Sequence, residues 1–243
     1  MVPRRVTCVL RVLALGVVLL NASACATLNG AGDPRDPLEG INRPIYSFNE
    51  FMDTHLFDPL GRAYKAVLPD IVDRGITNIF NNINDVSVIA NDILLLKLDQ
   101  AVSDIARVVF NSTIGIGGFF DVSSSMGLPK HNEDLGQTLA HWGIGPGPYL
   151  VAPLLGPTTV RDAVGYGVQG AFLNPLGYVD PVSAQAGLMT TQFVDIKADL
   201  LSAKQLLGEA ALDPYEFTKN AYFERRESRI RGGAFSDGEF PSD

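Results

Sequence analysis

The residue whose setting most narrowly defines its chemistry is Cys25. Arg4 and Arg5 lead an apolar run, Val12–Leu20, that ends in Asn21-Ala22-Ser23-Ala24 directly before it. A basic head, an apolar core and small residues are the parts of a secretory signal. Cleavage after Ala24 would make Cys25 the first residue, ready to carry a lipid. Ala22 stands three residues before the cysteine, where Leu is usual. An ordinary Ala-x-Ala-type signal followed by an unmodified cysteine is therefore the other reading. Ala26 rather than Asp follows Cys25, which in lipoproteins favours export to the outer membrane. The chain is expected to work at the periplasmic side of a bacterial membrane.

Elsewhere, residues with reactive chemistry are sparse. The three histidines are His55, His131 and His141. His131 and His141 flank Glu133 and Asp134, but ten residues without a repeated spacing are not a metal-site pattern. A helix-surface histidine and one packed near Trp142 are the plainer readings. Gly143-x-Gly145-x-Gly147 and Gly115-x-Gly117 lack the preceding strand and following helix of a phosphate cradle, and there is no Gly-x4-Gly-Lys-Ser/Thr loop. No Gly-x-Ser-x-Gly elbow or His-Glu-x-x-His pair occurs. With no acid–base pair standing out, no catalytic residue, metal or cofactor is assigned. Arg161 and Asp162 are adjacent and could either meet a phosphate or balance each other.

Composition narrows the partners. Removing residues 1–24 from the 243 leaves 219, enough for one large domain or two small ones. Three arginines and no acids leave with the signal, so the net charge falls from −8 to −11. That argues against nucleic acid and against electrostatic adhesion to anionic lipid. Cys8 goes with the signal and Cys25 would be acylated, so no intramolecular disulfide is then possible. Hydrophobic residues make up 46% of the chain and charged ones only 19%, below the roughly 25% usual for soluble domains. After Cys25 the apolar runs are short, Ile93–Leu96 and Val108–Phe110 being typical. A spanning helix needs about twenty such residues in sequence. A body partly immersed in one leaflet fits this combination, and so does a bulky soluble core.

The elements read mostly as helix. Residues 1–24 are the signal, 25–35 a polar tether, 36–231 one helical domain, and 232–243 an acidic tail expected to be disordered. Pro59 and Pro69 break the early part into pieces around Asn42–Met52, Leu60–Val67 and Ile71–Asn81. Asp85 is expected to cap a helix running to about Leu96, and Asp99 the next. In that next helix Val102, Ile105, Ala106, Val109 and Phe110 form one stripe, and Gly115, Gly117 and Gly118 stop it. Asn132 is expected to cap a short helix to His141. Gly143–Pro157 is too rich in Gly and Pro to be helical and reads as a loop or hairpin. A helix from Thr158 or Thr159 to about Phe172 carries Ala163, Gly165, Gly167 and Gly170, small enough for a close neighbour. Gln185–Leu212 reads as the longest helix, and Asp213-Pro214 opens the last, to roughly Arg231. The fold class is all-α, in a single domain.

Four ordered blocks carry a further signal. They are Asp36-Pro37-Leu38-Glu39-Gly40-Ile41-Asn42-Arg43 with Tyr46-Ser47-Phe48-Asn49; Arg107 through Asn111 to Asp121-Val122; Leu135-Gly136-Gln137-Thr138 through Gly143, Gly145, Gly147 and Tyr149 to Arg161-Asp162; and Asp213-Pro214-Tyr215 with Ala221-Tyr222-Phe223-Glu224-Arg225. From Asp36 to about Arg226 the chain resembles the MlaA (VacJ) family of outer-membrane lipoproteins. It departs at Ile41, where Phe is usual, at Pro44, and at Trp142, where Tyr is common. The resemblance implies a ring-like helical body in the periplasmic leaflet of the outer membrane, bound to a trimeric porin and holding a central amphipathic channel. Phospholipid mislocalised to the outer leaflet would pass through it to a periplasmic lipid-carrier protein, preserving lipid asymmetry. A non-transporting lipoprotein that scaffolds porin or envelope assembly is the alternative; an enzyme acting on envelope lipids is a more distant one.

On that resemblance, Cys25 is the anchor and Asn42, Arg43, Tyr46, Phe48 and Asn49 are candidates for gating or holding the ring closed, against simple helix capping. Gly143, Gly145, Gly147 and Tyr149 belong to the segment expected to flex, against a rigid turn. Arg161 and Asp162 are candidates for the channel wall, against a structural ion pair. The apolar stretch Val86–Val109 is the expected porin-facing helix surface, against core packing.

Overall fold

The computed structural model describes residues 33–204 and 211–232. The signal segment, Cys25, most of the tether and all of the tail beyond Gly232 lie outside the described residues. Pro44 lies inside helix α1, Glu39–Met52, past the first turn, so the helix forgoes there the bond that an N–H would make to the carbonyl four residues back. One π-helical turn, Asp53–Phe57, leads into α2, Asp58–Val67. Pro59 lies in the first turn of α2, and Pro69 precedes α3, Asp70–Leu94, both where proline suits a helix start. Then follow α4, Leu98–Thr113, the short α5, Val122–Ser125, and α6, Leu135–His141. Strands β1, Tyr149–Ala152, and β2, Gly156–Thr159, pair antiparallel. Helix α7, Val160–Phe172, a 3₁₀ turn, Pro175–Tyr178, α8, Val182–Asp199, and α9, Pro214–Ile230, complete the body.

Several sequence expectations need correction. Asp85 caps nothing: α3 runs unbroken for 25 residues and buries Asp85 mid-helix. No proline or glycine interrupts the chain between Asn81 and Asp85, so nothing ends the helix there. Asp99 lies inside the first turn of α4, with Lys97 at the cap position, where the helix dipole still favours its charge. Asp134, not Asn132, caps α6, accepting from the Gln137 amide at 2.9 Å. The longest helix among the described residues is α3; α8 starts earlier than expected, after Pro181, and ends at Asp199. The expected starts at Thr159 and Asp213 hold, each side chain accepting amides of the following turn. Gly143–Pro157 includes most of the hairpin. After α4, Gly117 and Gly118 take φ of 68° and 91°, which only glycine adopts cheaply. A Cβ on Gly118 would also lie 2.7 Å from that of Asn82.

The elements close on themselves. α1 packs on β1, β2 on α7, α7 on the 3₁₀ turn, that turn on α8, and α8 on α2 and the π turn that follows α1. α3 braces this circuit from α8, the 3₁₀ turn and α6, and α4 packs along α3. Gly165 permits the α6–α7 contact: a Cβ there would meet the Gly136 backbone nitrogen at 2.7 Å. The all-α, ring-like reading holds, with one hairpin set into it.

Polarity is inverted along α3 and α4. They bury Asn82, Asp85, Ser87, Asn91 and Asp92, and Asp104, Arg107 and Asn111. Their exposed faces carry Val86, Ile93, Leu94, Val102, Ile105 and Val109, with Ile114, Ile116 and Phe120 beyond. The stripe read from the sequence thus points outward, Val102 being 67% exposed. Water favours the opposite arrangement. Buried apolar residues are fewer than buried polar ones: Phe80, Val88, Leu95, Ala101, Leu176 and Ala198, and a cluster of Tyr149, Val151 and Tyr215 with Ile45, Tyr46, Tyr222 and Phe223 packed around it. Among the described residues no helix is long and apolar enough to cross a membrane.

Candidate functional site

The hairpin owes its position to two asparagines. Asn42 and Asn49 lie seven residues apart on α1, two helical turns, and therefore share a face. Asn42 Nδ2 donates to the Tyr149 carbonyl at 3.0 Å, and its Oδ1 accepts the Val151 amide at 3.0 Å. Asn49 Nδ2 donates to the Ala152 carbonyl at 3.0 Å, and its Oδ1 accepts the Leu154 amide at 2.8 Å. Each side-chain amide imitates a neighbouring strand along the free edge of β1, satisfying backbone groups that burial would otherwise strand. Asn42 is fixed in turn by Asp36 Oδ1 at 2.8 Å, and Asp36 accepts the Tyr215 hydroxyl.

The other expected residues take different places. Arg43 ties α1 to the start of α9, reaching Glu39 at 2.6 Å, Asp213 at 3.0 Å and Glu216 at 3.2 Å. Its guanidinium lies 4.4 Å above the Tyr215 ring, and Tyr46 packs edge-on against that ring. Phe48 is half exposed. Gly143 and Gly147 have positive φ, and nothing lies near the Cβ positions of Gly143 and Gly145. Tyr149 is fully buried in the aromatic core.

Beside the hairpin opens a cleft of about 330 Å³. Leu155, Pro157, Ala163 and Tyr166 give it apolar walls, while Asp134, Asp162, Tyr222 and Arg226 line its polar side. Arg226 lies between the two carboxylates, with Nη2 at 2.7 Å from Asp134 Oδ1 and 2.8 Å from Asp162 Oδ1. Asp162 also takes Arg161 Nε at 2.9 Å and the Tyr222 hydroxyl. Burial pushes both carboxyls up, but the arginines outweigh it and hold Asp134 and Asp162 below the usual carboxylate range. Burial and the adjoining Asp162 raise the Tyr222 hydroxyl, so it donates as a neutral phenol. Of the wall candidates, then, Asp162 reaches the cleft. Arg161 is buried against it, and the two balance each other.

Sequence reading missed Asp134, Tyr222 and Arg226 as partners. Tyr222 and Arg226 share α9, whereas Asp134 caps α6, and only the last sequence block, with Tyr222, pointed to one of them. A second polar cluster was missed as well. Arg107 donates to the Leu128 carbonyl at 2.7 Å and reaches Asp121 at 3.2 Å, while Asn111 donates to Asp121 at 3.1 Å and accepts the Ser123 amide at 3.0 Å. These bonds fold the 114–128 segment back onto α4. The histidines do not converge: His131 Nδ1 lies 3.0 Å from Asp104, and His55 caps the Phe51 carbonyl at 2.9 Å.

Comparison with known proteins gives this arrangement a family. The model of the MlaA lipoprotein family matches residues 34–229. The intermembrane phospholipid transport system lipoprotein MlaA of Escherichia coli K12 is 33% identical, covering 96% of this chain and 93% of its own. A Rickettsia bellii protein without an assigned function is 32% identical over 88% of this chain and 84% of its own. One solved structure, from work on the structural basis for maintenance of bacterial outer membrane lipid asymmetry, superposes with a TM-score of 0.70 at 29% identity. It covers 80% of this chain and 98% of that one. The chain belongs to the MlaA lipoprotein family.

Proposed function

We propose that this protein removes mislocalised phospholipid from the outer leaflet of the outer membrane and passes it, through an amphipathic opening in its ring, to a periplasmic lipid-carrier protein. The observation that carries the reading is the inverted polarity of α3 and α4. A body with apolar side chains outside and charged ones within, and no spanning helix among the described residues, suits immersion in one leaflet. Cys25 would add a covalent anchor, since an acyl chain together with an embedded surface holds far better than a chain alone. A phospholipid needs apolar contact for its tails and polar contact for its head, whose exposure to hydrocarbon costs several kcal/mol. The cleft beside the hairpin offers both within one opening. Its polar side is charge-balanced, which suits a zwitterionic head better than a bare anion. The hairpin, clamped by Asn42 and Asn49 and preceded by the Gly143–Gly147 turns, is the segment positioned to open or narrow that route. A trimeric porin would take the apolar face of α3 and α4.

The test is reconstitution of the lipidated chain with a trimeric porin and the carrier, following labelled phospholipid from liposomes to carrier. Transfer that needs this chain supports the reading. Stable binding to the porin without transfer would favour an envelope scaffold instead.

A further inference from the structure

At the end of α3 nearest α4 lies a buried group of charges that the transport reading does not use. Asp92 and Asp104 are both completely buried. His131 Nδ1 lies 3.0 Å from Asp104 Oδ2, and Lys97 Nζ lies 2.6 Å from Glu133 Oε1. Farther along the same seam Lys130 and Arg107 stand against Asp85 and Asp121, two bases to two acids. Neither oxygen of Asp92 receives a hydrogen bond from any donor. The group it faces is the Asp104 carboxyl. Two carboxylates cannot hydrogen-bond to each other unless one of them carries a proton, and adjacent buried carboxylates cannot both ionise at reasonable cost.

Counting charge leads to the same point. Asp92, Asp104 and Glu133 supply three carboxyls against two bases, Lys97 and a protonated His131. One further proton makes the group neutral, as burial requires.

We infer that Asp92 and Asp104 share one proton, and that together with His131 they form a proton-loaded latch holding residues 128–134 and α3 onto α4. Loss of the proton leaves an uncompensated negative charge in the seam and loosens it. The inference concerns the state of this seam and holds whether or not the chain moves lipid.

The direction of the pH response follows. Burial, then the facing Asp104, pushes the Asp92 carboxyl up to about 7, and the Asp104 carboxylate raises the His131 imidazole above its usual range. A carboxyl raised by folding binds its proton more tightly in the native state. Its contribution is therefore greatest below the ordinary carboxylate range and is lost as pH climbs towards 7. The raised histidine contributes below its ordinary value and is lost as pH rises through the higher one. Both act in one direction: the seam tightens on acidification and slackens on alkalinisation.

The experiment uses the purified full chain in detergent micelles, titrated from about pH 5 to 9 to cover both groups. Infrared spectra should contain a protonated-carboxyl band near neutrality that disappears on alkalinisation. The band should be missing from Asp92→Asn. Tm should fall with rising pH in the wild type, and Asp92→Asn should flatten that slope and melt higher than wild type at the alkaline end. In Asp104→Asn the same band should vanish, and the His131 NMR titration should move back towards an unperturbed imidazole. No band in the wild type, a band surviving in both variants, or unchanged Tm slopes would overturn the latch. If Asp92→Asn does not fold, the wild-type band and the Asp104→Asn titration decide.

Discussion

The polar side of the cleft and the α3–α4 seam both bury carboxylates, and they treat the charge in opposite ways. At the cleft Arg226 lies between Asp134 and Asp162, Arg161 supplies a second cation, and both carboxyls are held below their usual range. In the seam the acids outnumber the bases, Asp92 finds no donor, and its carboxyl is pushed up. Burial raises the carboxyl in all three cases; what differs is whether a guanidinium stands within reach. A planar fork can serve two carboxylates at once, whereas an imidazole and a lysine already committed elsewhere leave one carboxyl to be served by a proton. The first region is fixed over the ordinary pH range, and the second is adjustable.

Removing the guanidinium breaks the contrast most severely. Arg226→Met retains the bulk of the side chain but strands Asp134 and, in part, Asp162. The expected loss is about 2–3 kcal/mol, between the exposed-pair and fully buried scales, because water reaches Asp134 and Asp162 keeps Arg161. Denaturant unfolding in micelles measures it. A loss below about 1 kcal/mol would place the cleft among ordinary surface ion pairs, and the distinction drawn above would fail.

The next effect is one of sign. Folded pKa values that are lowered, as for Asp134 and Asp162, contribute stability above the ordinary carboxylate range and lose it as pH falls through that range. The raised values at Asp92 and His131 do the reverse. Amide protection, taken relative to the intrinsic exchange rate at each pH, should therefore fall around α6 and α9 on acidification below about pH 4. Around α3 and α4 it should fall instead as pH rises from the ordinary carboxylate range through about 7. A single global transition, with both regions responding together, would merge them into one cooperative unit.

A smaller step separates the two asparagines of α1. Asn42 is 1% exposed and makes three hydrogen bonds, to Asp36, Tyr149 and Val151; Asn49 is 7% exposed and makes two. Truncation leaves buried strand groups unpaired, at roughly 1–3 kcal/mol each time. Asn42→Ala is expected near the upper end and Asn49→Ala near the lower. In Asn49→Ala the Leu154 amide should exchange about tenfold faster, the change that 1.4 kcal/mol produces, while the Tyr149 ring stays buried. Equal losses would mean that the hairpin is held by its aromatic core and not by the clamp.

These residues also measure what a sequence can disclose. Helix starts at Thr159 and Asp213 were legible because capping is local: the side chain and the amides it serves lie within a few positions. Asp85 and Asp99 were misread by the same rule, since an Asp within an apolar stretch is read as a cap when the interior is taken to be dry. The periodicity of Val102, Ile105 and Val109 marked a face correctly, but periodicity does not say which medium that face meets. Arg226 was invisible as a cleft residue because its partners lie 92 and 64 positions away. Asn42 and Asn49 could be seen as a polar pair on one helical face, yet the strand they serve is more than 100 residues distant. Local chemistry was readable, whereas the inversion of polarity and the long-range pairing required the folded chain.

That inversion sets the smallest expected effect on stability. Ala101 and Val102 are neighbours on α4, the first 3% exposed and the second 67%. A lysine at Ala101 would have to enter the packed seam, so Ala101→Lys should unfold the α3–α4 pair. Val102→Lys replaces an outward methyl pair and should leave the unfolding free energy within about 0.5 kcal/mol of wild type, as surface substitutions do. If the outer face of α4 meets lipid, the same change carries a cost at the membrane, approaching the roughly 2.5–3.5 kcal/mol of a lysine at bilayer depth. Flotation of the unlipidated chain with liposomes separates the two effects. A variant as stable as wild type that binds vesicles at least tenfold more weakly assigns the apolar face of α4 to the bilayer. Equal flotation would leave that face to a protein partner, and the seam beneath it would then be buried within a complex and not in a leaflet.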